Sequence, residues 1–255
     1  MDVAAYLERI GYHGPLTADI NVLRNLHRAH LFTVPFENLD IHIAREIVCD
    51  EPRFIHKIVN ERRGGFCYEL NGAFAALLRT LGFHVTLLSA RVPRADGSDG
   101  PEFDHLTLRV DLDEPRLADV GFGDSFLEPL RLQPGFEQPQ MGRAYRLSQA
   151  DGLWQSEVKT DGEWKKEYLF TLQPRQLGEF AGMCRYHQTS PDSPFTRKRV
   201  CSRATPDGRI TLSDGKLIET RNGVRRERDL SPEEWRDKLR NLFGVVLPTS
   251  EWRRR

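Results

Sequence analysis

The sequence has no uninterrupted apolar run near the roughly 18 residues that a membrane-spanning helix requires, so no membrane partner is expected. Cysteine is scarce. Cys49, Cys67, Cys184 and Cys201 are the four in 255 residues, too few for the dense disulfide framework of a small secreted domain. The N-terminus, Met1-Asp2-Val3-Ala4-Ala5-Tyr6-Leu7-Glu8-Arg9, carries charge in its first turns and lacks a basic flank followed by an apolar block. No secretory signal is visible, and a cytoplasmic location is expected. Close pairs of metal ligands are missing too. His27 and His30 are three apart, and His42, Cys49 and His56 are loosely spaced, so no metal site is expected. Net charge is also absent, with 37 Lys and Arg against 37 Asp and Glu. Repeats and low-complexity linkers do not occur, and length alone suggests about two domains.

The charge balance is uneven along the chain. From Arg185 to Arg255 there are 17 basic and 10 acidic residues, which leaves the first 184 residues acidic by the same margin. A basic C-terminal part can meet an anion such as nucleic acid or a phosphorylated cofactor, or simply form a solvated face ending in a loose Arg253-Arg254-Arg255 tail. No nucleic-acid motif accompanies it and its basic residues are interleaved with turns, so nucleic acid is not an expected partner.

Periodicity divides the chain. Asp2 can cap a helix through Tyr6, Leu7 and Ile10 that Gly11 closes, and Thr17 can cap a second with Ile20, Leu23, Leu26 and Leu31. The most regular helix follows Gly64-Gly65, with Phe66, Leu70, Phe74, Leu77, Leu78 and Leu81 on one face and Gly82 at its end. Residues 85–92 then suit a strand, and residues 105–112 alternate, with His105, Thr107 and Arg109 opposite the leucines. Strands are expected near 117–120, 145–147, 153–158 and 164–170, with Asp151-Gly152 and Asp161-Gly162 between the last three. Turns at this spacing indicate an antiparallel barrel or sandwich. Beyond residue 172 the pattern mixes short strands at 210–212 and 217–220 with a helix opened by Ser231-Pro232-Glu233-Glu234.

Cys67 sits at the first turn of the regular helix, where unpaired N–H groups and the positive dipole end favour an anion. With Arg62 and Arg63 close in sequence, the thiol is expected to ionise easily, as a nucleophile must. A buried, inert cysteine is the alternative. His105 begins its strand, and Asp119 follows 14 residues later across a turn near Asp113-Glu114. A hairpin there would bring the two together, the carboxylate orienting the imidazole while the other ring nitrogen takes a thiol proton. Cys67, His105 and Asp119 are thus a candidate triad, against the reading of a surface histidine and a turn aspartate. Gly121-Phe122-Gly123 lacks the third glycine of a dinucleotide fingerprint and reads as a tight loop whose backbone could approach a phosphate or pantetheine chain.

The motif Arg63-Gly64-Gly65-Phe66-Cys67-Tyr68-Glu69-Leu70-Asn71, His105 on its strand and Asp119-Val120-Gly121-Phe122-Gly123 resemble the active-site signature of the arylamine N-acetyltransferases. Val34-Pro35-Phe36-Glu37-Asn38-Leu39, the stretch from Gln188 to Thr196 and that from Cys201 to Arg209 resemble further motifs of the family. The resemblance implies an α+β, multidomain protein with a cysteine-protease-like core. Residues 1–84 would form a helical bundle carrying the nucleophile, 85–185 a central antiparallel β-barrel carrying His105 and Asp119, and 186–255 an α/β lid. It implies ping-pong acetyl transfer from acetyl-CoA to arylamines, arylhydrazines or arylhydroxylamines through an acetyl-cysteine, with no metal or tightly bound cofactor, in a monomer or weak homo-oligomer. Phe36, Tyr68, Val92, Phe122 and Phe195 match acceptor-pocket positions. Gly121, Gly123 and Asp104 are the candidate CoA contacts, and Glu37 with Arg63 a structural pair near the nucleophile. Asp124 and Asp104 depart from the family pattern. An acid at 124 could repel the CoA phosphates. The competing reading is a hydrolase or amide synthase on the same triad.

Overall fold

The computed structural model describes residues 1–94 and 96–248. The Arg253-Arg254-Arg255 tail lies outside the described residues. Helix α1 (Val3–Ile10) starts where Asp2 accepts the Ala5 N–H and stops at Gly11, left-handed at φ 67°. Helix α2 (Ile20–Thr33) is capped by Asp19 rather than by Thr17. The Asp19 carboxylate stands next to the first turn and accepts the Asn21 and Val22 N–H groups, whereas Thr17 is two residues too early and donates to Asp19 instead. The short β1 (Phe36–Glu37), α3 (Leu39–His42) and α4 (Glu51–Ile55) follow, and α4 runs into a π-helical turn over His56–Asn60. Helix α5 (Cys67–Thr80) is buried on every side from Cys67 to Leu78. Its small residues permit this: a Cβ on Gly72 would lie 2.8 Å from the Phe54 ring, so α4 packs directly on the α5 backbone.

Eight antiparallel strands come next: β2 (His84–Arg91), β3 (His105–Asp111), β4 (Arg116–Ala118), β5 (Leu130–Arg131), β6 (Gln138–Gln140), β7 (Arg143–Ala150), β8 (Leu153–Thr160) and β9 (Glu163–Phe170). Their order is β5-β4-β3-β2-β9-β8-β7-β6, a sheet nearly closed into a barrel where Pro134 bridges Leu147. Asp151-Gly152 and Asp161-Gly162 are the two-residue hairpin turns that the sequence indicates, all four residues at positive φ as such turns demand. The β8–β9 register slips between Ser156 and Glu157, leaving Glu167 without a cross-strand partner.

A 3₁₀ turn leads into α6 (Ala181–Thr189), then α7 (Pro194–Arg197) and strands β10 (Val200–Thr205), β11 (Gly208–Ser213), β12 (Lys216–Arg221) and β13 (Val224–Asp229). Helix α8 (Pro232–Phe243) opens on Ser231 and Glu234, which cap each other's backbone. The second sheet has the order β1-β10-β11-β12-β13, so a strand of the N-terminal segment forms its edge. The architecture is α+β, as the sequence indicates, with three apolar clusters. One lies around α1, α2 and α5, one inside the barrel, and one between the second sheet and α8.

Candidate active site

Cys67 is the first residue of α5, so its N–H is among the donors with no intrahelical acceptor. The chain reaches it through Gly64, where a Cβ would stand 1.8 Å from the Pro35 carbonyl oxygen. Gly64 therefore admits the neighbouring backbone, and a Cβ on Gly65 would meet the Glu69 side chain at 2.6 Å; Phe36 bridges Gly65, and Glu37 N–H bonds the Gly65 carbonyl at 2.9 Å. Glu69 reaches back to accept the Phe66 N–H and fixes the entry.

Strands β3 and β4 pair Leu108 with Ala118, which sets Asp119 beside the start of β3. His105 Nε2 donates to Asp119 Oδ2 at 2.6 Å, both side chains being buried. The imidazole also hydrogen-bonds the Cys67 thiol, through the nitrogen that Asp119 leaves. Thus the structure brings the three residues together. Thr107, expected with His105 on a polar face, is buried as well, its hydroxyl 3.5 Å from that of Tyr168, and the Tyr168 and Phe122 rings lie 5.1 and 5.2 Å from that of His105.

Two residues that the periodicity does not single out hold this array. Asn71, one turn beyond Cys67, donates to the Leu106 carbonyl and to Asp119 Oδ1, and accepts the Val120 N–H. His27 Nε2 accepts the Asp119 N–H and its Nδ1 donates to the Leu127 carbonyl. Burial holds His27 near pKa 4, so it stays neutral in this role. Asn71 on an otherwise apolar helix stripe is a signal visible in the sequence; His27 offers none.

Electrostatics separate the triad members. Burial disfavours the His105 imidazolium, but Asp119 and the thiol outweigh it and push its pKa up to about 10. Burial also disfavours the Asp119 carboxylate, which His105, Asn71 and the Gly121 N–H nevertheless hold below its usual range. The Cys67 thiol is pushed up by burial and drawn back by His105 and the Leu106 N–H. This overturns the expectation that the nearby arginines ease its ionisation. Arg63 turns away, its Nε 2.9 Å from Glu37 Oε1 and its Nη2 2.8 Å from Asp40 Oδ1. Lys57 joins the same buried knot, bonded to Asp40 at 2.8 Å and Glu69 at 2.7 Å. Burial pushes Glu69 up to about 7, against the pull of Lys57.

Among the aromatic candidates, Phe36 and Phe195 are half-buried neighbours 6.2 Å apart, and half-buried Phe122 lies against His105. Val92 and Phe122 each pack against the barrel cluster. Tyr68 differs: it is fully buried and its hydroxyl donates to the Phe103 carbonyl at 2.7 Å. The Asp104 side chain meets His187 Nε2 at 3.1 Å, leaving His187 Nδ1 to the Ser193 hydroxyl. That chain ties the strand of His105 to the segment of Phe195. Gly121 is explained by packing, since a Cβ there would lie 2.8 Å from the Cys67 Cα. Gly123, at φ 97°, faces Phe36, and Asp124 sits between Arg143 and Arg209. Cys184 and Cys201 are free thiols, with Cys184 hydrogen-bonded to Cys49. Among the described residues no three potential metal ligands cluster, and no helix is long and apolar enough to cross a membrane. A hollow of about 880 Å³ lies elsewhere, between α3, α8 and the segment around Thr196, and no triad member lines it.

Comparison with known proteins gives a consistent result. A family model described as N-acetyltransferase matches residues 19–252. The pineal gland arylamine N-acetyltransferase isozyme of Gallus gallus is 35% identical over 97% of this chain and 95% of its own. Arylamine N-acetyltransferase 1 of Homo sapiens is 34% identical at the same coverage. The solved arylamine N-acetyltransferase of Salmonella typhimurium superposes with a TM-score of 0.90 at 33% identity, over 95% of this chain and 90% of that one. The Mycobacterium marinum enzyme in complex with CoA does so with a TM-score of 0.90 at 30% identity, over 96% and 93%.

Proposed function

The chain belongs to the arylamine N-acetyltransferase family, and from that premise we propose that it moves an acetyl group from acetyl-CoA to aromatic amines, hydrazines or hydroxylamines in two steps through an acetyl-cysteine at Cys67. The observation that carries this reading is the buried chain of hydrogen bonds from the Cys67 thiol through His105 to Asp119, placed at the first turn of α5. Phe36, Phe122 and Phe195 are read as the acceptor walls, suited to a flat ring. Val92 borders them, and Tyr68 acts from within the core. The CoA complex of the Mycobacterium marinum relative supports CoA as the leaving half of the donor. The division into helical bundle, barrel and lid belongs to the same proposal, although the first apolar cluster also takes in Leu106, Leu108 and Ala204 and the third takes in Leu39.

In the first step Cys67, deprotonated beside the His105 imidazolium, attacks the thioester carbonyl as a thiolate. The oxyanion meets the Cys67 N–H at the helix terminus. When the carbonyl reforms, the C–S bond to CoA breaks and the imidazolium protonates the departing thiolate. In the second step the amine attacks the acetyl-cysteine, neutral His105 takes its proton, and the Cys67 sulfur leaves as a thiolate beside the restored imidazolium. Asp119 keeps Nε2–H pointed away, so that Nδ1 faces the sulfur throughout. A thioester becomes an amide, which drives the second step.

Initial-rate measurements with acetyl-CoA and 4-aminobenzoate or hydralazine test the scheme. Parallel double-reciprocal lines, an acetylated chain by intact mass when amine is withheld, and loss of both in Cys67→Ala are expected. CoA release without amine at the same rate as with it would instead identify a hydrolase.

A further inference from the structure

Asp124 ends the turn that begins against the nucleophile. Gly121 packs on the Cys67 backbone, Phe122 on the His105 ring and Gly123 on Phe36. Three extended residues span at most about 11 Å, so Asp124 stands at the rim of the site. One of its oxygens, Oδ1, lies 2.8 Å from Arg143 Nη1 and 3.2 Å from Arg209 Nε. Arg143 opens β7 of the barrel and Arg209 lies on β11 of the second sheet. A single carboxylate oxygen therefore spans the two sheets beside the catalytic turn.

The triplet carries two positive charges against one negative, and its exposure is graded. The Asp124 side chain is 61% exposed, Arg143 38% and Arg209 13%. Arg209 is further fixed by a bond from Nη1 to Ser202 Oγ at 2.9 Å. Fixed, partly desolvated guanidinium groups suit a phosphate, which offers more charge and more acceptor oxygens than a carboxylate. The carboxylate already there is mostly in water, and such pairs are weakly held. We propose that Arg143 and Arg209 form a seat for a phosphate group of the acyl donor, and that Asp124 is a resident counterion which the phosphate displaces. This rests on the acyl-CoA reading above. Asp124 then acts as an internal competitor rather than a repelling charge. The apparent affinity for a phosphorylated donor falls by the fraction of molecules in which the seat is taken.

Two acetyl donors separate this from the function itself: acetyl-CoA, and 4-nitrophenyl acetate, which has no phosphate. Asp124→Asn should lower the KM for acetyl-CoA roughly threefold to tenfold and leave that for 4-nitrophenyl acetate unchanged. Arg143→Gln should raise the first and spare the second. Inhibition by 3′,5′-ADP against acetyl-CoA should tighten in Asp124→Asn and weaken in Arg143→Gln. An Asp124→Asn enzyme whose KM for acetyl-CoA is unchanged or raised, or whose two donors shift alike, overturns the proposal. Wild-type protein that transfers acetyl from neither donor overturns the underlying reading instead.

Discussion

His105 shows how one side chain ties chemistry to stability. Its pKa is held at about 10 against an unfolded value near 6.5, so its contribution is complete below about pH 6.5 and is lost as pH rises through 10. The melting temperature of the wild type should therefore fall more between pH 7 and pH 10 than that of His105→Gln, read by calorimetry. The same substitution removes the group that draws the Cys67 thiol downward and leaves burial to raise it. Alkylation of Cys67 by iodoacetamide at pH 7 should slow by about tenfold or more; an unchanged rate would mean that the imidazole does not activate the thiol. Cys67 and His105 stand out in the sequence because one opens a helix and the other a strand, and Asp119 is linked to His105 by the turn between them; the structure brings the three together. His27 and His187 serve through backbone atoms or partners far off in sequence, and no spacing rule reaches them, whereas Asn71 shows only as the polar residue of its helix stripe. The pairing of Arg63 with Glu37 follows from the family resemblance and is found in the structure, whereas its second acid, Asp40, was hidden because it comes from another segment.

Among the elements, the entry to α5 is the least tolerant. A methyl at Gly64 would collide with the Pro35 carbonyl, so Gly64→Ala should lose activity together with a large drop in urea midpoint, while Gly82→Ala, at a position with open space, should lose only the smaller strain of its positive φ. The β8–β9 bulge makes a different demand. It turns Glu167 inward, where Ser125 and Ser156 each donate to Oε2 at 3.0 Å and burial pushes its pKa up to about 7. A carboxyl raised in this way stabilises most below about pH 4.5 and loses that contribution as pH rises through 7. Glu167→Gln keeps an acceptor for both hydroxyls, and its urea midpoint should be flatter than the wild type's between pH 5 and 8. The barrel strands could be read from alternation and Asp-Gly turns. By contrast, β13 could not, since Val224–Asp229 is exposed throughout and has no apolar period. The bulge escaped as well, because its register is set by the partner strand.

Across the whole molecule, the N- and C-terminal segments are welded rather than merely adjacent. Asn38, buried between them, donates to the Phe195 and Lys198 carbonyls and accepts the Val200 N–H, while Phe36 pairs with Ser202 on the sheet edge. Losing these buried bonds in Asn38→Ala should cost about 2–4 kcal/mol in urea denaturation and raise the KM for the amine, because Phe195 is held by the same contacts. A stability loss with an unchanged KM would separate the weld from the acceptor wall. The sequence motif contains Asn38, yet its partners lie about 160 residues away, so its purpose shows only in the fold. The buried knot of Glu37, Asp40, Lys57, Arg63 and Glu69 bears on how this protein can change over generations. Losing either cation, Lys57 or Arg63, strands carboxylates in the interior, so the passage to another workable set crosses intermediates that fold poorly. Stepwise mutation will therefore leave the floor beneath the nucleophile as it is, and variation in this protein will accumulate on the solvent-facing rim.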